Sequence, residues 1–579
     1  MKILNIDWIE LISKNKFISI IEYVEDNEDF YKNKYCDLIE KIGNIIVDNG
    51  ENIYQKCQYK SDYNLWQMST ISEKSFFKTP QIFEHIKILA LLDLVKTQNP
   101  TQVNISGINN STAAFLKTLE TNINFYFQNI TELKSRKSFT PNFFSKNKRV
   151  KASLWLIYQF FKKLKSPAVI KNMNKESSVF IMDYFTHLNQ MTNYSSNIWD
   201  PLLNQISKRN KIYFLHHFIP TEKIRSLKKA SKTLNKFNIN KNQVHDFIEL
   251  NINVFVFTKV IFNYILFQFK ARKIVSSLKD KINNHNNSLS IKFLNNSILS
   301  SLTGKELIQN MLYVEIFDDF FKKIEFQRTG IYLQENQGWE FAFINAWKKH
   351  KHGKLLAFNA SSVSNWDMRF KYPFEKDKIK LIKQRKPDFF LVGSKNYKLL
   401  YGKLGYELDK VHDVEALRYI KLQKVITKKS HGKILIMGCI TKSVNELMIK
   451  SLETLILKFN QFKWYFKPHP ASTFKLKNEK IHIIKDDLIK KASELDFVIC
   501  PSDSSVVIDC YLLGLNFIVF LNKGTPNTSP LKDLKGVKFA YNNEDVSNFI
   551  FKKNKVKRDK DFFNLDNNLN NWKLIINGE

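Results

Sequence analysis

The sequence predicts an α/β protein of two domains, each built on a doubly wound parallel sheet, with helical insertions. Short apolar runs alternate with stretches of helical periodicity through most of the chain after residue 100. The runs are continuously apolar, which is typical of parallel strands covered by helices on both faces. A chain of 579 residues with 44% hydrophobic and 14% aromatic side chains fills several cores, which excludes a disordered or fibrous protein.

The first 220 residues are predicted to begin with helices and to continue with alternating strands and helices. Apolar residues at helical spacing cover 31–46 and 82–95, so the first 100 residues are expected to be mostly helical. Asn110-Ser111 is a signal for the start of a helix between two predicted strands. The helix and the two strands form a first βαβ unit. The strands predicted in this part are 103–105, 124–127, 179–182 and 212–215.

A lysine-rich stretch from about 221 to 325 is predicted to be a helical insertion, and the alternation resumes after it. The lysine-rich segment 422–432, which ends at the flexible Gly432, is a linker signal, so we predict domains over 1–425 and 426–579. The strands predicted in this half are 331–333, 355–358, 389–392, 434–437, 464–466, 481–484, 497–500 and 517–520. The helices predicted between them are 339–349, 443–459, 488–494 and 504–513.

The charge is strongly basic but consists mostly of lysine. Lys and Arg number 90 against 55 Asp and Glu, a net charge of +35, and only ten of these residues are Arg. Dedicated nucleic-acid binders favour Arg, so this composition argues against a nucleic-acid partner. A lysine excess fits attraction to an anionic membrane surface or an anionic substrate, or compositional drift.

The sequence favours a cytosolic protein. The five cysteines are scattered without CxxC or Cys/His spacing, so neither a disulfide framework nor a zinc site is predicted. Asp7 and Glu10 interrupt the N-terminal apolar stretch, so we expect no signal peptide. The most apolar later run, 254–269, contains Lys259 and falls short of the roughly 20 residues that a spanning helix needs, so no transmembrane segment is predicted.

Residues 151–163 combine aromatic and apolar side chains with lysines at helical spacing. Such a helix can lie on an anionic bilayer, with its rings in the interface and its lysines at the headgroups. The alternative is an ordinary helix packed on the domain.

Open parallel sheets bind ligands beyond the carboxyl ends of their strands, and two motifs follow predicted strands in this way. In the first, Lys467-Pro468-His469-Pro470, the prolines restrict the backbone around His469. The imidazole and Lys467 are then placed to bind a nucleotide phosphate. A rigid surface turn is the alternative.

The second motif is Pro501-Ser502-Asp503-Ser504-Ser505, with a helix predicted to begin at the serines. Helix N-terminal amides and the hydroxyls of Ser504 and Ser505 make a predicted anion site. Asp509 lies one helical turn later, and its carboxylate can accept hydrogen bonds from ribose hydroxyls. Serine is also an ordinary helix cap, which is the alternative interpretation.

The two motifs resemble the HP and paired-serine motifs of bacterial sialyltransferases, polysialyltransferases and related capsule enzymes with the GT-B fold. The resemblance implies a GT-B-like arrangement of two Rossmann-like domains, acceptor-side first and donor-binding second. It also implies that His469, Ser504 and Ser505 bind the phosphate of a nucleotide-sugar donor, with a CMP-linked nonulosonate favoured. Lys467, Pro470 and Asp509 complete the predicted donor site. The donor would be a substrate, and no cofactor is expected.

A wider resemblance is to a family of bacterial surface-carbohydrate biosynthesis proteins from O-antigen and capsule clusters. The strings that carry it are Asn64-Leu65-Trp66, Ser72-Glu73-Lys74-Ser75, Leu333 to Glu340 (LQENQGWE), Trp366-Asp367-Met368-Arg369 and Glu415-Ala416-Leu417-Arg418-Tyr419. After Phe358, where a Gln-His-Ser-Thr-like string is expected, this chain has Asn359-Ala360-Ser361-Ser362. A histidine expected near the cleft is therefore absent.

Catalytic candidates follow the strand that ends at residue 333. Glu335 is the candidate general base for an acceptor hydroxyl, with a helix cap or buried ion pair as the alternative. Asp367 is the second candidate, although Asp367 and Arg369 are also placed to form a structural salt bridge. Asn336, Arg369 and Ser361 are predicted to face the acceptor cleft.

No metal site is predicted. Asp318-Asp319 and Asp486-Asp487 lie in lysine-bearing contexts that favour solvated helix ends. His216-His217 follows a strand and can line the cleft, but it has no third ligand.

These observations lead to one prediction and two alternatives. We expect a metal-independent glycosyltransferase, cytoplasmic or peripheral on the inner membrane face, which extends a bacterial surface polysaccharide or lipid-linked glycan. The first alternative is a CDP-polyol phosphotransferase of the teichoic-acid type. The second is a non-catalytic, membrane-associated scaffold with a degenerate donor site, which the departure at Ala360 keeps open.

Overall fold

The residues that the structure describes form three parallel sheets, of four, seven and six strands. The structure, a computed structural model, describes residues 2–79, 81–119, 123–130, 147–169, 177–186, 188, 193–207, 210–221, 224–239, 242–284, 289–371, 386–423, 431–470, 472–484, 486, 488–552, 556–559 and 561–577. The four- and seven-stranded sheets precede residue 425 and the six-stranded sheet follows it.

The first 130 residues form a unit with a sheet of its own. Its strands are β1 (Ile3–Asp7), β2 (Ile18–Ser19), β3 (Ile46–Asp48), β4 (Glu51–Asn52), β5 (Gln58–Tyr59), β6 (Tyr63–Asn64), β7 (Gln102–Ser106) and β8 (Asn124–Gln128). Its helices are α1 (Ile20–Asp26), α2 (Glu28–Gly43), α3 (Ile53–Lys56), α4 (Thr70–Glu73), α5 (Gln81–Gln98) and α6 (Asn110–Lys117). The parallel sheet has the order β2-β1-β7-β8, and β3–β4 and β5–β6 are short antiparallel pairs.

Strand β1 corrects the expectation of a mostly helical N-terminus. Its residues alternate between the buried Leu4 and Ile6 and more exposed neighbours, which is the pattern of a half-buried strand. The predicted helices over 31–46 and 82–95 correspond to α2 and α5, and the predicted strands 103–105 and 124–127 correspond to β7 and β8. The first βαβ unit is therefore confirmed, with one further strand beside it.

The central unit carries the seven-stranded sheet. Its strands are β9 (Ser177–Tyr184), β10 (Ile212–His217), β11 (Gln243–Phe247), β12 (Gln327–Leu333), β13 (Lys354–Phe358), β14 (Phe389–Val392) and β15 (Val411–Asp413). Its helices are α7 (Lys148–Leu164), α8 (Asp200–Ile206), α9 (Leu227–Phe237), α10 (Val254–Asn284), α11 (Leu289–Thr303), α12 (Lys305–Lys323), α13 (Gly338–Lys349) and α14 (Lys395–Lys403). Short 3-10 helices cover Ile248–Asn251, Met368–Phe370, Leu408–Lys410 and Ile420–Leu422.

Strand β11 lies inside the stretch that was predicted to be helical throughout. Its five residues are all buried, although Gln243, His245 and Asp246 are polar. His245 donates its backbone N–H to Asn238 Oδ1 at 2.6 Å, and the backbone N–H of Phe247 donates to Asp246 Oδ1 at 2.9 Å. These internal hydrogen bonds allow a polar sequence to occupy a buried edge strand. The other elements that the structure describes between 221 and 325 are helices, as predicted.

The C-terminal unit carries the six-stranded sheet. Its strands are β16 (Lys433–Met437), β17 (Lys463–Lys467), β18 (Ile481–Ile483), β19 (Phe497–Pro501), β20 (Phe517–Phe520) and β21 (Phe539–Ala540). Its helices are α15 (Lys442–Lys458), α16 (Leu488–Lys491), α17 (Val506–Leu512), α18 (Asn543–Lys552) and α19 (Asn570–Asn577), with a 3-10 helix over Ala492–Glu494. Helix α17 begins after Ser505, two residues later than predicted, and has only seven residues.

The two larger sheets are doubly wound, as predicted. The strand orders are β11-β10-β9-β12-β13-β14-β15 and β18-β17-β16-β19-β20-β21, all parallel. In β16, Ile434 and Ile436 pack on one face of the sheet, and Leu435 and Met437 pack on the other. Both orders reverse direction once, between β9 and β12 and between β16 and β19, and such switch points are where open sheets bind ligands.

The chain returns to the seven-stranded sheet at its end. Trp572 and Ile576 of α19 are buried against that sheet, and Trp572 Nε1 donates to the carbonyl O of Glu415 at 2.9 Å. The boundary between 1–425 and 426–579 stays a prediction, and Lys424, Lys428 and Lys429 of the predicted linker lie outside the described residues.

Helix α10 is longer than its apolar run indicated. By length and composition, its residues Val254–Lys281 suffice to cross a membrane, with a mean hydropathy of 1.4 over the most apolar window. This corrects the expectation that the segment is too short. One stripe of the helix is nevertheless core, since residues at helical spacing are buried: Val256, Val260, Tyr264, Phe267, Ala271, Ile274 and Leu278.

Candidate functional site

The carboxyl edges of the seven- and six-stranded sheets meet at Arg418. This residue lies in the turn after β15, and its guanidinium donates a hydrogen bond to Ser505 Oγ, beyond β19, at 3.2 Å. The pKa of Arg418 is raised by Tyr419 first, and then by the carboxylates of Asp509 and Glu335. Carboxylates from both sheets, Asp509 and Glu335, therefore stabilise the positive charge of Arg418.

His469 lies beyond β17 at the same place. Burial lowers the pKa of its imidazole, and the charge of Arg418 lowers it further. The ring is therefore neutral at pH 7 and can donate one N–H to an anion without carrying a charge of its own. The sequence correctly placed His469 at a strand's carboxyl end, and the structure brings it to Arg418.

The other residues of the two motifs take separate positions. Lys467 Nζ donates to the carbonyl O of Asp486 at 2.6 Å, and Pro470 is exposed at the end of the loop. Ser504 Oγ accepts from the backbone N–H of Val506 at 3.4 Å, while Ser505 precedes α17 without capping it. Because α17 is a two-turn helix, Arg418 and not the helix amides is the strong positive group here.

Asp509 lies one turn into α17 and faces Arg418 from the other side. Both residues, with Lys421, line a small cavity of about 190 Å³. The structure therefore places Asp509 beside the cation but in a cavity too small for a nucleotide.

A larger cavity, of about 680 Å³, lies at the switch point of the six-stranded sheet. Thr441, after β16, and Asp503, after β19, line it on the sheet side. Phe76 and Phe77 from the first unit form the opposite wall, and their rings lie 4.1 Å apart between centroids. The first and the C-terminal units of the chain thus enclose a space of the size that small-molecule sites have.

Asp503 is the notable polar group in this cavity. Its Oδ1 atom is buried and has no hydrogen-bond partner among the described residues, and burial raises the pKa of its carboxyl to about 6. Unsatisfied buried polar groups are rare in proteins, and one at a cavity wall is a candidate ligand contact. The sequence motif contained Asp503, but only its serines were singled out.

On the opposite edge, the switch point of the seven-stranded sheet carries Glu335. Its carboxylate is about one-third exposed and lies 3.5 Å from Arg369 Nη1, and Gln337 donates to it. Arg369 also lies 5.8 Å from the centroid of the ring of Phe77, which lines the large cavity. Glu335 is thus accessible while it is paired with a cation.

Asp367 differs from Glu335 in its contacts. Its side chain is 2% exposed, and it accepts two parallel hydrogen bonds from Arg369, Nε to Oδ1 at 2.8 Å and Nη2 to Oδ2 at 2.7 Å. A bidentate pair of this kind holds a guanidinium in a fixed orientation. The contacts of Asp367 are therefore those of a structural salt bridge, whereas Glu335, which is also paired with Arg369, keeps about one-third of its side chain exposed.

The turn that carries Glu335 is held by Glu340 and Asn336. Backbone N–H groups of Glu335, Asn336 and Gln337 all donate to the Glu340 carboxylate at 3.0 Å. Asn336 has a φ of +55°, and its amide donates to the carbonyl O of Arg369 and to Tyr406 Oη at 3.0 and 3.1 Å. Asn336 thus fixes the turn and the position of Arg369, while Ser361 lies half-buried beyond β13 at the same edge.

Glu73 is a further acidic group that the sequence analysis did not single out as a site residue. It is buried, Lys78 Nζ donates to its Oε2 at 2.9 Å, and its Oε1 has no hydrogen-bond partner in the part of the chain that the structure describes. Burial raises the pKa of Glu73, with opposing effects of Lys78 and Arg369. Both Glu73 and Arg418 belong to strings that carried the family resemblance, which was the available signal for them.

The metal candidates are engaged elsewhere. Asp318 accepts from Lys349 Nζ at 2.7 Å and contacts His350 Nε2 at 2.8 Å. Its pKa falls to about 2 although burial alone would raise it, because Lys349 and His350 bind the carboxylate. His216 is buried between Asp183 and His245, with 3.1 Å from its Nε2 to His245 Nδ1. Asp487 lies outside the described residues. Among the described residues, no group of three or more His, Cys, Asp or Glu is arranged to hold a metal.

Comparison with known proteins gives structural likeness only. No family model matches the sequence, and no curated protein matches it. The HepE protein of Anabaena in complex with UDP and glucose is 7% identical with a TM-score of 0.36, over 65% of this chain and 89% of that chain. UDP-N-acetylglucosamine 2-epimerase from Rickettsia bellii is 13% identical with a TM-score of 0.37, over 69% and 94%.

A third match is MurG from Acinetobacter baumannii, 13% identical with a TM-score of 0.28, over 62% of this chain and 85% of that chain. At such TM-scores the likeness carries no argument about activity. The fold assignment rests on the sheets themselves. Their strand orders and facing carboxyl edges give the GT-B-like arrangement of two Rossmann-like sheets that the sequence predicted.

Proposed function

We propose that the protein is a glycosyltransferase that uses a nucleotide-sugar donor. The observation that carries the proposal is the meeting of two sheet edges at Arg418, which donates to Ser505 and lies in the field of Glu335. Arg418 from the seven-stranded sheet and His469 from the six-stranded sheet offer a cation and a neutral imidazole to a phosphate, and Glu335 offers an accessible carboxylate to an acceptor. A transferase that joins a charged donor to a hydroxyl acceptor needs both kinds of group at one cleft.

In this proposal, the donor phosphate binds at the carboxyl edge of the six-stranded sheet. Arg418 and His469 donate to its oxygens, and Lys467 adds a third donor once its contact with the Asp486 carbonyl is released. Because protein side chains supply this positive charge, we propose that transfer needs no divalent metal. The sugar and nucleoside extend into the 680 Å³ cavity, where Asp503 accepts a hydrogen bond from a ligand hydroxyl or amino group.

The chemical step is a direct displacement. An acceptor oxygen bonds to the anomeric carbon while the bond from that carbon to the phosphate oxygen breaks, and the nucleotide leaves with the electron pair. The proton of the acceptor hydroxyl passes to Glu335, whose carboxylate is about one-third exposed. Arg418 and His469 stabilise the charge that develops on the leaving phosphate.

The finer assignment is a CMP-linked nonulosonate donor and a growing surface polysaccharide or lipid-linked glycan as acceptor. The support for it is the sequence resemblance of the Lys467–Pro470 and Ser504–Ser505 motifs. We also propose a cytoplasmic location, at the inner face of the membrane, which the five free cysteines fit.

The test is thermal stabilisation of the purified protein by CMP, CDP, UDP and GDP, in the wild type and in His469→Ala, with and without EDTA. A ligand that binds only the folded state raises the melting temperature. Selective stabilisation by CMP that His469→Ala loses and EDTA leaves intact supports the donor assignment, and stabilisation by another nucleotide moves the donor to that class. Stabilisation by none of them overturns the transferase proposal in favour of a scaffold. CDP stabilisation with phosphate in the product would assign a polyol phosphotransferase.

A further inference from the structure

Helices α7 and α10 lie side by side and expose one shared apolar face. The Phe160 and Phe257 rings stack at 4.5 Å between centroids, and Arg149 Nε donates to Gln268 Oε1 at 2.8 Å. These two contacts, at opposite ends of α7, make the helices antiparallel neighbours. We call their exposed residues the two-helix face, and it consists of Leu154, Tyr158, Phe161, Phe255, Phe262, Ile265, Leu266 and Phe269.

The two-helix face is unusual in its exposure. Tyr158 and Phe262 are each 62% exposed and Phe269 is 59% exposed, although all are large side chains. Leu154, Ile265 and Phe269 also line a shallow cavity of about 370 Å³ between the helices, so the face is continuous across both. A contiguous apolar surface of this kind marks a docking site, because leaving it in water is unfavourable.

The helical stretches that carry the face contain basic but no acidic residues. No acidic residue occurs from 148 to 164 or from 254 to 279, whereas Lys165, Lys270 and Arg272 are exposed at its borders. These stretches of the two helices therefore carry no negative charge that would repel an anionic surface. Aromatic side chains bordered by lysines are the combination that enters the headgroup region of an anionic bilayer.

The opposite face of α10 determines how it meets a membrane. Val256, Val260, Tyr264 and Phe267 are buried in the core, and Tyr264 Oη donates to the carbonyl O of Thr303 at 2.7 Å. A helix that crosses a bilayer would have to leave these contacts. The helix therefore has an apolar outer face and a protein-bound inner face, as a helix that lies in the interface plane has.

We propose that the two-helix face docks the protein on an anionic lipid bilayer. The rings of Tyr158, Phe262 and Phe269 enter the acyl boundary, and Lys165 and Arg272 meet the phosphate groups. For the basic aromatic segment 151–163, the proposal assigns the outer face to the membrane surface, while Ala152 and Leu156 are buried in the core, as in the alternative interpretation. It does not depend on the proposed sugar transfer, because its evidence lies outside the cleft.

The experiment is sedimentation of the full chain with vesicles of phosphatidylglycerol and phosphatidylcholine in equal amounts, and with vesicles of phosphatidylcholine alone. Phe262→Ser with Phe269→Ser is expected to lower partition to the anionic vesicles by about tenfold or more. The matched control is Leu399→Ser with Phe551→Ser, two residues that are also exposed but lie elsewhere, and it keeps wild-type partition. Circular dichroism of each variant verifies that it is folded.

A second pair of variants tests the charge. Lys165→Gln with Arg272→Gln lowers binding to the anionic vesicles only, while Lys475→Gln with Lys480→Gln, exposed on the C-terminal unit, leaves it unchanged. Absent wild-type binding, or equal binding by Phe262→Ser/Phe269→Ser, overturns the proposal. Light scattering provides a further test. The proposal is also overturned if the wild type has twice the chain mass and Phe262→Ser/Phe269→Ser has a single chain mass, because a second copy would then cover the face.

Discussion

Arg418 of the central unit and Ser505 of the C-terminal unit are joined by a hydrogen bond of 3.2 Å from the guanidinium to Oγ. Each residue follows the carboxyl end of a strand, β15 in one sheet and β19 in the other. The contact therefore crosses the cleft where both sheets would hold ligands. It also means that a phosphate that binds Arg418 competes with Ser505 or is shared with it.

Arg418→Lys is expected to weaken nucleotide binding without unfolding the protein. A charge-assisted hydrogen bond is worth roughly 1.5–3 kcal/mol, which corresponds to about a 10- to 100-fold higher Kd. Lysine keeps the charge but not the forked donor, so Ser505 and the phosphate can no longer be held together. Calorimetric titration with the nucleotide that stabilises the wild type measures the change. Arg328→Lys, at an exposed position, is the control, and equal affinities of Arg418→Lys and wild type would contradict the assignment.

Glu335→Gln is expected to abolish transfer while donor binding stays intact. Glutamine preserves the shape and the contact with Arg369 but cannot take a proton, so kcat should fall by about 100-fold or more. Single-turnover transfer and nucleotide titration on the same preparation separate the two effects. A variant with normal kcat would contradict the assignment of Glu335. Glu73 would then be the group to test next, because burial raises the pKa of its carboxyl.

Asp367→Asn tests a different role, because this carboxylate is tied up by Arg369 through two hydrogen bonds. Removing the charge of Asp367 leaves the buried Arg369 with only its longer contact to Glu335, so the free energy of unfolding should drop by about 3 kcal/mol. Urea denaturation measures it. Asp29→Asn, whose side chain is 98% exposed, should change stability very little. Loss of transfer in Asp367→Asn without loss of stability would instead assign Asp367 to the chemistry.

These residues show which parts of the site the sequence could predict. His469, Ser505 and Glu335 follow strands that are continuous apolar runs, so the position of each at a sheet edge was accessible from the pattern alone. Arg418 follows β15, whose three residues Val411–Asp413 give no such run, and its role depends on the relative placement of two sheets. Glu73 reaches the site from a separate unit, which no local pattern encodes.

The fold was predictable to a similar extent. Strands buried on both faces were found because burial demands apolar residues throughout. Strand β1 was missed because it is half-buried and alternates, and β11 was missed because internal hydrogen bonds make its polar residues compatible with burial. In both strands the tertiary surroundings outweigh the local signal.

Asp503→Asn is expected to stabilise the protein at neutral pH. Burial raises the pKa of Asp503 from 3.8 to about 6, so between these values the folded state keeps a proton that the unfolded state releases. Wild-type stability should therefore fall as the pH rises through 6, and the variant should lack this loss. Because the side chain borders an open cavity, the gain at pH 7 is about 1–2 kcal/mol. Urea denaturation at pH 4 and pH 7 tests it, since the two proteins should be equal at the lower pH.

Lys87→Met is expected to loosen the first unit from the C-terminal sheet. Lys87 is 1% exposed, and its ammonium donates to the carbonyl O of Trp8 at 3.2 Å and to that of Gly524 at 3.1 Å, while Glu84 provides the countercharge. Methionine fills the space but leaves both carbonyls and the carboxylate without this donor, at a cost of about 2–3 kcal/mol. Lys96→Met, on the exposed side of the same helix, is the matched control. Limited proteolysis should then cleave Lys87→Met between the units faster than the control, and equal cleavage rates would show that the cavity wall of Phe76 and Phe77 is held by other contacts.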